Sequence, residues 1–401
     1  MKRTVSMILL LLISGLNATQ LEILYSDHVS AILTDCHCPE DSLGGLIHRV
    51  TYIDKQRNEY PDLLLLDAGG WSNGSRDNMN DNSFVLPFYS LMKYDAIGLG
   101  VSELKLGEEN LISLIENKEF PVIASNLLRK EDRKPVTRQF IITERKGSRI
   151  AILSIIEPSL GNKLLDKFYL DDPANALKPL IQELRQKADF IILLTQSDIS
   201  FSIALGEQFR DINLVIESFT TAPFEKPIAL ESNGYLVSYG SGEGFGFIKT
   251  NAEKNKGFTE FNQKFVPVYR NLEIKSEAKE LYEKALKKAD AIEIDSGRKK
   301  SCSEKKGEKI LIRYFYSRTC KYCMEVTDKI IPEIIREFPL CILFYDISNT
   351  SDYKKLVYEE QELRVKRLDI PAFTFRDGYI HGEKEVNLEK LKEEIRKRIQ
   401  Q

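Results

Sequence analysis

Apolar and polar residues alternate along residues 19–270 in blocks that predict a layered α/β fold. Short apolar runs, typical of buried strands, are separated by segments with apolar residues at helical spacing, such as residues 46–55. Six of these runs are predicted strands, at residues 21–25, 63–66, 96–99, 121–124, 190–194 and 213–216. Strands that alternate with helices in this way predict an α/β domain.

The C-terminal part of the chain, residues 309–401, shows a different order of elements. The pattern predicts a strand, a helix, a strand, a polar helical stretch, a pair of strands and a charged helix. The main elements fall at residues 309–316, 320–338, 340–346 and 371–375, followed by a tight turn at Asp377-Gly378 and a helix at 388–399.

The intervening residues 271–308 are predicted to connect the two domains. Residues 276–290 carry apolar side chains at helical spacing, which indicates a docking helix or connector. Residues 296–308 are polar and mostly basic, so we expect the hinge between the domains there.

The first 18 residues have the pattern of a secretory signal. A basic start is followed by an apolar run that is too short to span a membrane comfortably, and small residues end at a predicted cleavage site after Ala18. We therefore expect an exported protein, periplasmic or extracellular, whose cysteines meet an oxidising compartment. An uncleaved N-terminal membrane anchor is the alternative.

Composition limits the classes of partner. The chain has 401 residues, 42% of them hydrophobic, and a formal net charge of -3, so it is long enough for two or three packed cores. The slightly acidic balance argues against nucleic acid as the main partner.

The pair Cys320 and Cys323 carries the clearest chemistry. It stands where a predicted strand gives way to a predicted helix, and the unpaired amides at a helix N-terminus stabilise a thiolate at the first Cys. We expect Cys320 to attack and Cys323 to resolve the mixed disulfide. A zinc site is the other use of this spacing, but Cys302, Cys341 and His381 supply no second ligand pair. The expected partners are protein thiols or disulfides, and a membrane thiol donor or acceptor upstream is a further candidate.

The element order of residues 309–401 and the proline before the third strand resemble the thioredoxin fold. The resemblance implies that Pro371 is cis and shapes the substrate groove beside the dithiol. Three departures from that family stand out. Tyr314 replaces a buried Asp, Thr319 replaces a Trp, and Lys-Tyr separates the two cysteines.

Five motifs of the N-terminal domain resemble the secreted 5′-nucleotidase branch of the calcineurin-like metallophosphatases. They lie at residues 23–28, 43–46, 66–70, 94–103 and 124–126. That family binds two metals through Asp, His and Asn at strand ends, which polarise phosphate and activate water.

Most metal-binding and catalytic positions of that family are replaced here. Asp27 remains, but the positions expected to carry other ligands or catalytic groups hold Val29, Gly70, Val101, Ser102 and Gln196, and the last His-containing loop becomes residues 217–221. The resemblance therefore implies a scaffold without metals, without a cofactor and without hydrolytic activity. Two alternatives remain open: a metal-dependent phosphohydrolase, and a nucleotide- or phosphate-binding module with an accessory redox domain.

Cys36 and Cys38 form a candidate second redox pair. They lie in the loop between the first strand and the following helix, near the expected mouth of the phosphatase site. Neighbouring cysteines of this spacing form an oxidising disulfide, or bind metal together with His37. A structural role, for example a bridge to Cys302, is the alternative. If the pair is redox-active, the hinge is expected to let it equilibrate with the Cys320 pair.

Overall fold

The structure, a computed structural model, describes residues 18–34, 44–76, 79–117, 119–220, 224, 226–239, 242, 244–254, 256–295, 298–305, 309–348 and 350–400. The predicted signal segment up to residue 17 and the pair Cys36 and Cys38 lie outside these residues. The chain divides into two compact units, Met1–Tyr282 and Glu283–Gln401. Among the described helices, none has the length and apolar character that crossing a membrane requires.

The first unit alternates strands and helices. Its strands are β1 (Thr19–Ser26), β2 (Leu64–Asp67), β3 (Ala96–Gly98), β4 (Val122–Ile123), β5 (Leu127–Arg129), β6 (Phe140–Arg145), β7 (Ser148–Ile156), β8 (Phe168–Leu170), β9 (Phe190–Gln196), β10 (Ile212–Glu217), β11 (Ile228–Ala229), β12 (Tyr235–Ser238), β13 (Gly244–Glu253) and β14 (Gly257–Pro267). Its helices are α1 (Leu46–Glu59), α2 (Met79–Met92), α3 (Val101–Lys105), α4 (Glu108–Ile115), α5 (Pro158–Gly161), α6 (Pro173–Leu184), α7 (Ile199–Gln208) and the start of α8 (Ser276–Asp295).

Twelve of the described strands of this unit build two six-stranded sheets, and β5 and β8 pair antiparallel as a two-stranded sheet. The first has the order β14-β13-β1-β2-β3-β4 and the second has the order β11-β12-β10-β9-β7-β6. In the first sheet β1 to β4 are parallel, and in the second β7, β9, β10 and β12 are parallel. Parallel strands end at the same edge, so the loops that follow them gather there.

One hydrophobic core joins the facing sides of the two sheets, since it includes Ile23 and Leu66 from the first sheet and Ile152 and Ile192 from the second. Helices α6 and α7 cover the other face of the second sheet. Both faces of the central strands are thus buried, which explains their continuous apolar sequences. The predicted α/β layered fold class is confirmed.

All six predicted strands are present, as β1 to β4, β9 and β10, with ends that differ by two residues at most. The hairpin of β6 and β7 was not predicted from the sequence. Its two-residue turn holds Lys146 at φ 49° and Gly147 at φ 76°, the left-handed conformation that tight hairpins require. Strand β6 is partly exposed, so its alternating pattern is weaker than that of the central strands.

The second unit is built on a five-stranded sheet over its described residues. The strands are β15 (Lys300–Cys302), β16 (Ile310–Tyr316), β17 (Leu340–Asp346), β18 (Ala372–Phe375) and β19 (Gly378–His381), in the order β15-β17-β16-β18-β19. The helices are α9 (Lys321–Glu325), α10 (Ile331–Glu337), α11 (Thr350–Glu362) and α12 (Leu388–Ile399). Separate apolar clusters pack on the two faces of the sheet. The turn between β18 and β19 is Arg376-Asp377, one residue earlier than predicted, because Phe375 pairs with Gly378.

The range predicted as connector and hinge contains more structure than expected. Helix α8 continues to Asp295, and the boundary between the units falls within it. Lys300–Cys302 then forms β15, antiparallel to β17. Three residue pairs are too short to show a strand period, and the partner strand lies about forty residues further along the chain. Part of residues 296–308, the polar and mostly basic range predicted as the hinge, is therefore the strand β15.

Candidate functional site

Cys320 caps the N-terminus of α9. Its Sγ accepts a hydrogen bond from the backbone N–H of Cys323 at 3.1 Å, and the two cysteines are joined as a disulfide with Cα atoms 5.2 Å apart. Cys320 is half-buried, whereas Cys323 is fully buried. Helix α9 begins at Lys321, so the dithiol occupies the first turn, as the sequence predicted. This cap is the geometry that stabilises a thiolate on the first sulfur.

The helix that follows the dithiol is not uniform. After α9 come a π-helical turn, Val326–Ile330, and then α10, where the predicted helix was continuous. Pro332 lies at the start of α10 and has no N–H to donate to the preceding turn. A local change of hydrogen-bond spacing relieves that loss, which explains the π-helical turn before the proline.

Tyr314 lies beneath the dithiol on β16. Its hydroxyl donates to the backbone carbonyl of Cys323 at 2.7 Å, and Thr327 Oγ1 donates to the same carbonyl at 2.9 Å. Burial raises the pKa of Tyr314. In the sequence, Tyr314 stood out only as a departure from a buried Asp, because a contact between a strand residue and a distant carbonyl leaves no sequence pattern.

Pro371 lies at the same end of the sheet as the dithiol. Phe315 pairs with Ala372, and continuing this antiparallel register places Pro371 beside Tyr316, the last residue of β16. The peptide bond between Ile370 and Pro371 is cis. The structure thus brings the three residues predicted from the sequence, Cys320, Cys323 and Pro371, to one edge of the sheet.

The surface next to Cys320 carries positive charge. Arg318 is exposed and lies 3.0 Å from Asp346, measured from Nε to Oδ2. Lys321, the residue after Cys320, is also exposed. Cations beside a thiol favour its ionised form.

A second disulfide joins Cys302 on β15 to Cys341 on β17. The two residues are directly opposite each other in the antiparallel register. Cys302 therefore pairs within the second unit, and not with Cys36 or Cys38. Cys341 is fully buried, like an apolar core residue, although it forms half of this disulfide.

In the first unit, Glu103 joins the loops after β2 and β3. Oε2 accepts from the amides of Gly70 at 3.1 Å and Gly100 at 2.7 Å, and Oε1 accepts from the amide of Ser72 at 2.7 Å and from Ser102 Oγ at 3.0 Å. A carboxylate has about four lone-pair sites, and these donors fill them. No role was predicted from the sequence for this fully buried side chain.

Asp67 is a second buried carboxylate at this edge. Ser26 Oγ donates to Oδ2 at 2.6 Å, Tyr89 donates to the same atom at 2.7 Å, and the amide of Gly69 donates to Oδ1 at 2.9 Å. Burial raises the pKa of Asp67 to about 7, although these hydrogen bonds act to lower it. Asp67 therefore changes charge near neutral pH inside the core.

Asp27 and His28 follow β1 directly. Asp27 is fully buried, and His28 Nδ1 lies 3.9 Å from its Oδ1, an ion-pair distance. Burial lowers the pKa of His28, but the carboxylates of Asp27, Glu103 and Asp67 together outweigh burial and raise it. His28 has φ 47°, so its ring is placed by a left-handed backbone.

Gln196, at the end of β9, fills the position where the resemblance placed a His. Its Nε2 donates to the carbonyl of Ser218 at 2.7 Å and also to Ser218 Oγ, and its Oε1 accepts from the amide of Val101 at 3.3 Å. A Cβ at Gly100 would lie 2.7 Å from Oε1, so the amide occupies this space closely. Gln196 thus connects the two sheets at their shared edge.

Gly70 and Gln196, two positions that differ from the resemblance, lie close together at this edge. Gly70 has φ 77°, and a Cβ there would lie 3.2 Å from the Cα of His28. Asn126, from the last resemblance motif, is also engaged, since its Nδ2 donates to the carbonyls of Ile156 and Asp171. In the described part of the chain, no group of three His, Cys, Asp or Glu side chains is arranged to hold a metal ion.

Comparison with known proteins supports the fold of this unit. No protein-family model matches the chain. A 5′-nucleotidase of Rattus norvegicus is 26% identical over 200 residues, covering 47% of this chain and 34% of that protein. The crystal structure of a 5′-nucleotidase precursor from Thermus thermophilus superimposes with a TM-score of 0.60 at 16% identity, covering 69% of this chain and 60% of that one. The fold is that of the 5′-nucleotidase-like metallophosphatases.

The Thermus thermophilus structure covers 69% of this chain. This share is close to that of the first unit, which has 282 of the 401 residues. The uncharacterized metallophosphoesterase YunD of Bacillus subtilis (strain 168) is 28% identical over 189 residues, 43% of this chain and 39% of that protein. The chain thus spans between a third and two fifths of the length of these curated relatives.

Proposed function

We propose that the second unit is a thioredoxin-like thiol-disulfide exchange domain and that the metallophosphatase-fold unit carries it without hydrolytic chemistry. The observation that supports this most strongly is the cap of α9, where the sulfur of Cys320 accepts the Cys323 amide at 3.1 Å. Pro371, which the register places beside the end of β16 at the dithiol edge of the sheet, is the proposed docking surface for a client chain.

The exchange proceeds in two balanced steps. The Cys320 thiolate attacks a client disulfide, forms a mixed disulfide and releases one client thiolate. The Cys323 thiolate then attacks Cys320 Sγ, the mixed disulfide breaks, and the second client thiolate leaves and takes a proton from solvent. The protein dithiol is oxidised by two electrons and the client disulfide is reduced. The reverse sequence oxidises a client dithiol.

Protein thiols and disulfides outside the cytoplasm are the proposed clients, in line with the predicted secretory signal. Turnover requires a second thiol or disulfide that returns the Cys320 pair to its starting state. The Cys36 pair and a membrane thiol donor or acceptor are the candidates for that role.

The test uses the full chain with Cys323→Ser. We expect this variant to accumulate mixed disulfides with the proteins in an extract of exported proteins. These mixed disulfides should be visible on non-reducing gels and should be released by dithiothreitol. The matched control is Cys320→Ser/Cys323→Ser, which should accumulate none through this site. Trapping that instead requires loss of Cys320 would reverse the assigned roles, and the absence of any mixed disulfide in Cys323→Ser would contradict the proposal.

Metal-dependent phosphoester hydrolysis is the second candidate, and the names of the similar proteins favour it. The pair Asp27 and His28 at the edge of β1 is the observation on this chain that supports it. The other side chains do not fit a two-metal centre, because Glu103, Gln196 and Asn126 already bond to backbone groups or neighbouring side chains. We therefore derive no hydrolytic step.

Metal analysis and an activity assay separate the two candidates. The purified chain should contain less than one equivalent of zinc or manganese and should not release phosphate from a nucleoside monophosphate above background. Two tightly bound metal equivalents, with hydrolysis that Asp27→Asn abolishes, would establish the hydrolase instead. Nucleotide binding without hydrolysis would assign the first unit as a binding module.

A further inference from the structure

Tyr314 is the residue through which the sheet of the second unit contacts the dithiol turn. Its ring is fully buried and stacks on Phe373 with centroids 4.6 Å apart and on Tyr316 at 5.3 Å. Phe344 meets the same ring edge-on at 5.7 Å. Packing on these sides fixes the ring, so its hydroxyl has a defined direction.

That hydroxyl points at the carbonyl of the second cysteine. Tyr314 donates to the Cys323 carbonyl at 2.7 Å and Thr327 Oγ1 donates to it at 2.9 Å, in addition to the backbone N–H of Val326. This carbonyl lies where α9 passes into the π-helical turn, a place where regular helical bonding is interrupted. The two side-chain donors therefore stabilise a turn in which regular backbone hydrogen bonding is interrupted.

We propose that Tyr314 is a positioning residue for the second step of exchange, in which Cys323 attacks the mixed disulfide on Cys320. This inference rests on the proposed function. The Tyr314 hydroxyl fixes the peptide group that follows Cys323, and with it the direction in which the buried Cys323 sulfur faces Cys320. An attack between groups held in one turn is fast only when the sulfur atoms are aligned.

The first step does not depend on this bond. The amide that donates to Cys320 Sγ belongs to the peptide group before Cys323, whereas Tyr314 binds the carbonyl after it. Cys320 is the more accessible sulfur and meets the client directly. Loss of the Tyr314 hydroxyl should therefore slow resolution and leave the initial attack unchanged.

The experiment separates the two steps with a chromogenic disulfide, 5,5′-dithiobis(2-nitrobenzoate). The full chain carries Cys36→Ser and Cys38→Ser, the Cys320 pair is reduced, and mass spectrometry confirms that the bridge between Cys302 and Cys341 remains closed. Attack by Cys320 releases one nitrothiobenzoate, and resolution by Cys323 releases the second. In Tyr314→Phe we expect the second phase to slow about fivefold, the equivalent of one net hydrogen bond of about 1 kcal/mol, with the first phase unchanged.

Two further variants make the result specific. Thr327→Val removes the other side-chain donor to the same carbonyl and should also slow the second phase, and it replaces Tyr314→Phe if that variant does not fold. Tyr316→Phe is the matched control, because it removes a hydroxyl from the adjacent ring on the same strand, and it should leave both phases unchanged. Equal slowing of both phases in Tyr314→Phe would show a general structural role and overturn the inference. An unchanged second phase in both Tyr314→Phe and Thr327→Val would also overturn it.

The same assay distinguishes this inference from the proposed function. Cys323→Ser should release one nitrothiobenzoate and retain the other on Cys320. If Cys320 does not react, thiol exchange at this site fails whatever Tyr314 does. If Cys320 reacts and resolution proceeds unchanged without the two hydroxyls, exchange stands and the role of Tyr314 fails.

Discussion

Arg313 on β16 forms a partly buried ion pair with Glu293 near the end of α8, with Arg313 Nε 3.0 Å from Oε1 and 3.1 Å from Oε2. The two side chains are 14% and 20% exposed. Burial alone would raise the pKa of Glu293, but the guanidinium outweighs it and lowers the pKa. Within the second unit, this pair attaches the last turns of α8 to the sheet that carries the dithiol.

Glu293→Gln should therefore destabilise the second unit. Without the Glu293 charge, Arg313 keeps Glu359 at 3.6 Å and Asp290 at 3.9 Å as acidic neighbours, so we expect a loss of about 1 to 2 kcal/mol in the free energy of unfolding near pH 7. Since the pKa of Glu293 is lowered in the folded state, its contribution is present above the ordinary pKa of a glutamate and disappears as the pH falls through the lowered value. The free energies of unfolding of the wild type and the variant should converge at acidic pH.

Hydrogen exchange followed by mass spectrometry measures this loss in the peptides of β16 and α8. Glu393→Gln is the control, because the Glu393 ion pair with Lys397 is exposed and its loss should leave the protection of β16 and α8 unchanged. Equal protection of β16 in wild type and Glu293→Gln at pH 7 would contradict the prediction.

Asp67 should make the first unit less stable as the pH rises toward neutrality. Its folded pKa, raised to about 7, lies above the value of an unfolded aspartate. The folded state therefore retains a proton that the unfolded state has released, and stability falls between about pH 4 and about 7 with a slope of up to about 1.4 kcal/mol per pH unit. Asp67→Asn, which does not titrate, should show a flatter profile over this range.

The chain has one tryptophan, Trp71, and its complete burial in the first unit makes its fluorescence a probe of the unfolding of that unit. Urea denaturation from pH 4 to 8 gives the profile. Asp62→Asn changes an exposed carboxylate and should keep the wild-type slope. Identical slopes in Asp67→Asn and wild type would show that Asp67 is ionised throughout.

The bridge between Cys302 and Cys341 should stabilise the sheet edge of the second unit. The cysteines are 39 residues apart in sequence, and closing a loop of that length in the unfolded chain corresponds to about 4 kcal/mol. Cys302→Ser should lose about 2 to 4 kcal/mol and should lower the exchange protection of β15 and β17 first. Chemically reduced wild type should reproduce the loss, whereas Ser301→Ala on the same strand should not. A wild type that is equally stable before and after reduction would show that the bridge does not constrain the unfolded chain.

Restoring a carboxylate at Gly70 should not restore a metal site. Gly70 has φ 77° and a Cβ would lie 3.2 Å from the backbone of His28, so Gly70→Asp meets both conformational strain and crowding. We expect a loss of more than about 1 to 2 kcal/mol, the ordinary cost of a left-handed residue, and no uptake of manganese in calorimetry. Gly147→Asp is the matched control, since Gly147 has φ 76° but open space around it, and it should show the conformational cost alone. Manganese binding by Gly70→Asp at micromolar concentration would indicate that the remaining residues still form half of a metal site.

Much of the fold can be predicted from local sequence patterns. The apolar runs that become β2 and β9 are continuous because both faces of those strands are buried, and this signal can be read without knowledge of the partner strands. The position of Cys320 at a helix N-terminus is equally local, because a strand, a short turn and a helical pattern follow one another in the chain. By contrast, β15 is three residues long and exists only because β17 lies beside it.

By itself, the sequence determined the α/β class, the order of the elements and the place of the dithiol, because each depends on residues within one or two turns of the chain. Tertiary structure alone decided that Cys302 pairs with Cys341, that Glu103 binds the loops around Gly70 and Gly100, and that Tyr314 reaches the Cys323 carbonyl. These contacts join backbone and side-chain groups that strand register brings together across the fold. Register is set by the packing of whole sheets, so such contacts leave no periodic signal in the residues that make them.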